Sequence, residues 1–194
     1  GDLAWAAGDQ QARGFLIGAT SGRTTLNGEG LQHQDGHSHL VAATIPNCVS
    51  YDPTYAYEVA VIVHHGLEVM YGRRESKFFY ITTMNENYQH PEMPARVEEG
   101  IIRGMYRIES AAPKAKTVVQ LMGCGSILRE VRAAAALLRQ DFGIDADVWS
   151  LTSINELRRD GIAAGGGRCL RGRRAAAALR RGGLTQQIAQ FRLR

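Results

Sequence analysis

The sequence has 194 residues, 44% of them hydrophobic, enough for one sizeable core or two small ones; no run of about 18 uncharged apolar residues occurs, so no membrane-spanning helix is expected. Residues Gly1 to Gly8 have no basic segment followed by an apolar stretch, and Cys48, Cys124 and Cys169 are widely spaced without CxxC pairing, so neither an export signal nor a disulfide or zinc framework is expected and a cytoplasmic setting suits the chain. The net charge of +4 is local: residues 161–194 hold eight arginines and no acid, which leaves 15 basic against 19 acidic groups, a net of −4, in the first 160 residues.

In chain order, Asp2-Leu3-Ala4-Trp5-Ala6-Ala7 has helical spacing and Phe15-Leu16-Ile17-Gly18-Ala19 is a short apolar run like a buried strand. Thr20 to Gly36 is loop in composition, and 17 residues is longer than most connections, which points to a functional loop. Ile45 to Tyr51 predicts a strand stopped by Asp52-Pro53. Thr54 can cap a helix through Tyr57, Val61, His64 or His65 and Glu68, and Lys77 to Thr83 predicts another buried strand. Strand, helix, strand is the unit of a parallel sheet, because parallel neighbours cannot be joined by a tight turn.

The pattern weakens between Met84 and Lys116, where Pro91, Pro94 and Pro113 interrupt it, and a domain boundary or connecting arm is expected there. A second strand-helix-strand unit follows: Thr117 to Met122, a turn at Gly123-Cys124-Gly125-Ser126, a helix from Ile127 to Gln140 stopped by Gly143, and Asp147 to Leu151. The Gly-rich turn can bind an anion through backbone N–H groups or can be a plain tight turn. Residues 161–194 are mostly Gly, Ala and Arg, without strand alternation and with only short helical patches. That composition fits translation in a wrong frame after about Asp160, a disordered tail, or a basic arm for nucleic acid, although it lacks interleaved aromatics.

The densest chemical cluster is His33-Gln34-Asp35-Gly36-His37-Ser38-His39 at the end of the long polar loop, whose imidazoles and carboxylate suit proton transfer, substrate contact, structural hydrogen bonding or metal binding. The spacing matches neither HExxH nor the common HxHxDH order of metal hydrolases, yet a metal-dependent hydrolase using His33, Asp35, His37 and His39 stays open as an alternative. His64 and His65 point about 100° apart on a helix and read as structural. Asp9 and Glu29 read as solvated or capping carboxylates; Arg23 suits either an anion or a loop-bracing ion pair.

Residues 1–18, Ser21 to His33 and Asp35 to His39 resemble the pyrimidine-binding domain of homodimeric pyruvate dehydrogenases. The likeness continues through Ile45-Pro46-Asn47-Cys48, Tyr51-Asp52-Pro53, Tyr55 to Ala60, Tyr80 to Thr83, Asn85 to Tyr88, Gly125 to Arg129 and Glu156-Leu157. The resemblance implies an α/β, transketolase-like architecture: part of a parallel-sheet pyrimidine (middle) domain over 1–93, an arm over 94–116, and the start of a transketolase carboxyl-terminal α/β domain over 117–160. Residues 161–194 depart from the family as quoted. It also implies thiamine diphosphate and magnesium as cofactors, held mainly by residues outside this chain. Pyruvate is the implied substrate, with a homodimer partner and a lipoyl-bearing dihydrolipoyl acetyltransferase core as partners and no membrane or nucleic acid. The histidine of the family's Leu-Gln-His segment corresponds to His33, and the more distant transketolases place a substrate-contacting aspartate and histidine at Asp35 and His39. On this reading the chain is an internal fragment, inactive and only marginally folded by itself.

Overall fold

The computed structural model describes residues 1–18, 37–84 and 87–171, with side chains described as far as residue 164. It divides into a unit of residues 1–156 and a second of 157–194. The first holds two three-stranded sheets. In one, β1 (Phe15–Gly18) and β2 (Cys48–Tyr51) flank β3 (Phe78–Thr82), and both pairings are parallel. In the other, the central strand β6 (Asp145–Leu151) runs parallel to β5 (Val118–Gly123) and antiparallel to β4 (Met105–Glu109).

Side-chain alternation along β3 explains the layering of the first sheet. Phe79 and Ile81 face one way, into a core with Val49, Tyr51, Ile62, Val69, Met70 and Ile101. These bring in α3 (Ala56–Leu67), the π-helical turn Glu68–Gly72 and α4 (Glu98–Arg103). Phe78 faces the other way, with Cys48, Ala42 and Ile45, so α2 (Ser38–Thr44) covers that face and Ala4 of α1 (Asp2–Asp9) packs alongside. A strand clothed on both faces explains the nearly continuous apolar run Phe78-Phe79-Tyr80-Ile81. In the second sheet, Ala146 and Val148 pack against Leu128, Val131 and Ala135 of α5 (Ile127–Phe142), whose C-cap is Gly143 in the left-handed region at φ 64°. The fully buried Leu128 and Val148 side chains contribute about 1.5–3 kcal/mol each.

A buried carboxylate ties α3 to the second sheet. Glu58, in the first turn of α3, is fully buried. Its Oε2 accepts the N–H groups of Thr54 (2.5 Å) and Tyr55 (3.0 Å), which caps the helix. Its Oε1 accepts the hydroxyls of Tyr106 on β4 and Ser150 on β6, both at 2.6 Å. Because Tyr106 spends its proton on Glu58, Tyr57 is the donor in the 2.5 Å contact between the two tyrosines. Burial, ahead of the Glu58 carboxylate, pushes the pKa of Tyr106 far above the ordinary tyrosine value.

Several local expectations change. Ser38 and His39 belong to α2, not to the end of a loop, because the Leu40–Ala43 run can bury Ala42. The second strand begins at Cys48 and not at Ile45: Pro46 has no N–H for a ladder, and the Asn47 side chain donates to the Gly8 carbonyl at 3.0 Å. Thr54 is not the cap of α3; that residue is Tyr55, while the Thr54 hydroxyl donates to the Gly125 carbonyl at 2.9 Å. Residues 94–116 hold α4 and β4. The helix α6 (Ile154–Arg171) runs through the first residues of the Arg/Ala/Gly segment, whose remainder lies outside the described residues.

Candidate functional site

The carboxyl ends of β2 and β3 meet the first turn of α2. Ligands in open α/β sheets bind outside such strand ends. His39, in that first turn, places Nε2 3.1 Å from Oγ1 of Thr82, the last residue of β3. Thr82 is buried and donates to Asp52 Oδ1 at 2.6 Å, with the Tyr51 carbonyl a longer second acceptor at 3.3 Å. Asp52 directly follows β2, where Pro53 ends the strand, and its N–H donates to the Thr152 carbonyl at 2.8 Å. The His39 ring also lies against Tyr80, with centroids 5.3 Å apart.

The turn between β5 and α5 closes over Asp52. Gly125 has φ +50°, and a Cβ built there would come within 3.1 Å of Asp52 Oδ1. Gly123 approaches α5 so closely that its Cβ would lie 2.8 Å from Leu128 Cα. The Gly-Cys-Gly-Ser segment is therefore a packed tight turn facing a carboxylate, a poor environment for an anion.

From the other side, the Asn155 amide donates to the His39 carbonyl at 3.0 Å and to Ser50 Oγ at 2.5 Å, and Ser153 Oγ donates to the Ser50 carbonyl at 2.6 Å. Ser153 also accepts the Glu156 N–H at 3.0 Å, an N-cap for α6. His39, Ser50, Asp52, Cys124, Ser153 and Asn155 line a cavity of about 70 Å³. Leu151 and Ile154 complete the lining, so the wall is largely apolar with a few converging polar groups, room enough for a small group that carries one polar end. A larger open hollow of about 310 Å³, beside His64, His65, Glu68 and Glu98, lies on the outer surface of α3 and α4, away from these strand ends.

Of the residues singled out in the sequence, His39 is in this site and His37 immediately precedes α2, while His33, Asp35, Arg23 and Glu29 lie outside the described residues. His65 packs edge-on against Phe79, centroids 6.4 Å apart, as a structural histidine does. Its pKa falls below the ordinary 6.5, first through burial and then through Arg73. Sequence reasoning missed Asp52, Thr82 and Asn155. Asp52-Pro53 at a strand end and the Ser153-Ile154-Asn155-Glu156 capping signature were the available signals.

Among the described residues no group of three or more His, Cys, Asp or Glu side chains could hold a metal ion. The carboxylate of the site, Asp52, already accepts the Thr82 hydroxyl. The described donor set thus does not fit a diphosphate with its magnesium ion.

Residues 1–91 match the family described as pyruvate dehydrogenase E1 component middle domain, and residues 104–189 match the transketolase-like TK C-terminal domain. The chain is 66% identical over 163 residues to the pyruvate dehydrogenase E1 component of Pseudomonas aeruginosa, covering 84% of this chain and 18% of that protein. To the same component of Escherichia coli K12 it is 65% identical over 162 residues, 83% of this chain and 18% of the relative. The chain thus spans about a fifth of the length of these relatives. Its fold is like that of transketolase from Campylobacter jejuni (TM-score 0.64, 15% identity, 81% of this chain and 23% of that one). It is also like that of Leishmania mexicana transketolase (TM-score 0.61, 15% identity, 81% and 22%). Neither the hydrolase nor the nucleic-acid reading gains support from these likenesses. Over residues 1–91 the chain belongs to the pyruvate dehydrogenase E1 component middle-domain family, and over residues 104–189 to the transketolase-like C-terminal domain family.

Proposed function

We propose that this chain is part of a thiamine-diphosphate-dependent pyruvate dehydrogenase that works as a homodimer in the cytoplasm. The whole enzyme releases carbon dioxide from pyruvate and passes the remaining two carbons to a lipoyl group on a dihydrolipoyl acetyltransferase core. The observation that carries this reading is the 66% identity over 163 residues to a pyruvate dehydrogenase E1 component. The cytoplasmic setting is supported by the wide spacing of Cys48, Cys124 and Cys169, with no CxxC pair among them.

Thiamine diphosphate, with magnesium, would supply a carbon nucleophile and a sink for the electron pair left when carbon dioxide departs; residues of the parent enzyme beyond those described would hold it. This chain's residues handle protons and orientation. His33 gives or takes a proton at the oxygen derived from the keto group, where a positioned imidazole also offsets developing charge. Asp35 and His39 hold the substrate's polar groups. For His39 the support is its place on the small cavity at the strand ends.

The test is made in the full-length parent enzyme. His33→Ala should lower turnover of pyruvate by about 10² to 10⁴, with thiamine diphosphate affinity little changed. His64→Ala should leave turnover near the starting value. Near-normal turnover in His33→Ala would remove the catalytic assignment, and a parent that releases no carbon dioxide from pyruvate would remove the functional one.

A further inference from the structure

We infer that Asp52 and Thr82 are positioning residues that hold His39 in one tautomer, with its proton on Nε2. The inference deepens the proposed function, since its consequence for the reaction rests on His39 contacting substrate.

The assignment follows from counting protons. A threonine hydroxyl has one proton to donate, and both a carboxylate and a backbone carbonyl only accept. Asp52 Oδ1 at 2.6 Å is at the short distance of a charge-assisted O–H···O⁻ bond, and the Tyr51 carbonyl is 3.3 Å away. Whichever of the two takes the proton, Thr82 has only lone pairs left for the ring nitrogen 3.1 Å away. Nε2 must therefore be the donor, and on the neutral ring the lone pair falls on Nδ1.

The surroundings hold this arrangement from several sides. Asp52 is fixed by its N–H on the Thr152 carbonyl, and Gly125, by lacking a side chain, leaves room for its carboxylate. Thr82 is buried at the end of the central strand. The backbone of His39 is tied to Asn155 and its ring lies along Tyr80. With Nε2–H committed to Thr82, it is the Nδ1 lone pair that accepts from a polar group of the substrate. Asp52 and Thr82 act on the reaction only through His39.

The test has two arms. In the 194-residue chain with ¹⁵N-labelled histidine, long-range ¹H–¹⁵N spectra at neutral pH should show His39 with a pyrrole-type Nε2 and a pyridine-type Nδ1. Thr82→Val should abolish that bias and Thr82→Ser should restore it. In the full-length parent, Thr82→Val should lower kcat by about ten- to a hundredfold, less than His39→Gln, and add little on top of it. Thr82→Ser should recover most of the loss. A wild-type His39 protonated on Nδ1, or a tautomer unchanged by Thr82→Val, overturns the inference. Should the chain fail to give resolved spectra, additive losses for Thr82→Val and His39→Gln in the parent overturn it equally. If the tautomer is as assigned while His39→Gln has normal kinetics, the pairing stands and the role proposed for His39 falls.

Discussion

Asn155 donates to the carbonyl oxygen of His39 at 3.0 Å, a link between residues 116 positions apart. The same amide donates to Ser50 Oγ at 2.5 Å, so one side chain ties α2 to β2 from the start of α6. Asn155→Ala should cost about 1–3 kcal/mol, because both acceptors lose their donor in a partly buried place. Asn155→Asp should do no better, since a carboxylate has nothing to donate. Urea unfolding with an unchanged denaturant dependence would measure the loss, and a cost under about 0.5 kcal/mol would show that water replaces the amide.

At Glu58, amide substitution is expected to be costly despite its size. In Glu58→Gln one oxygen becomes an NH₂ group aimed at two donors, either the Thr54 and Tyr55 N–H groups or the Tyr106 and Ser150 hydroxyls. A loss of about 2–3 kcal/mol is expected, against about 1–2 kcal/mol for Ser150→Ala, which removes one donor and leaves the rest. Equal losses in chemical denaturation would contradict this account.

Two glycines should respond with opposite signs. Gly123→Ala puts a methyl 2.8 Å from the backbone of Leu128, which cannot move without shifting α5, and should destabilise by about 1–3 kcal/mol. Gly161, inside α6, has open space around it, so Gly161→Ala should raise the helicity of α6 with a gain of up to about 1 kcal/mol. Circular dichroism and thermal unfolding of the two variants provide the comparison.

His65 gives the chain an acid sensitivity whose direction can be worked out. Its folded-state pKa lies below the ordinary 6.5, so the folded form binds the proton less readily than the unfolded chain. The associated stability is complete above that value and is lost as pH falls through it. Thermal midpoints should drop as pH falls below about 6.5, and His65→Gln should flatten the drop. An unaltered profile in His65→Gln would assign it to other groups.

What could be read from the sequence was what local pattern controls. The run Phe78–Tyr80 and the helix ending at Gly143 announce themselves through apolar density and a left-handed cap, and the order of strands and helices in both units follows. The strand β4 did not, because Tyr106 and Glu109 look like an ordinary polar stretch until Ser150 and Val148 stand opposite them. The helix α2 was hidden by its histidines, whose chemistry draws attention away from the four apolar residues that follow. Within the site, His39 was visible as a reactive side chain. Asp52, Thr82 and Asn155 were not, since each matters only through a partner 30 or more residues distant.

The cross-strand pairing of Tyr106 with Ser150 has a consequence for how such a chain can change over time. Both hydroxyls end on one oxygen of Glu58, so the three residues form a single heritable character. A lineage that loses the carboxylate strands two buried hydroxyls and two backbone N–H groups at once, and a lineage that loses the hydroxyls takes both of those donors from Oε1 of a buried carboxylate. Viable change therefore runs through paired or triple replacement, and an alignment of relatives should show positions 58, 106 and 150 drifting together or hardly at all.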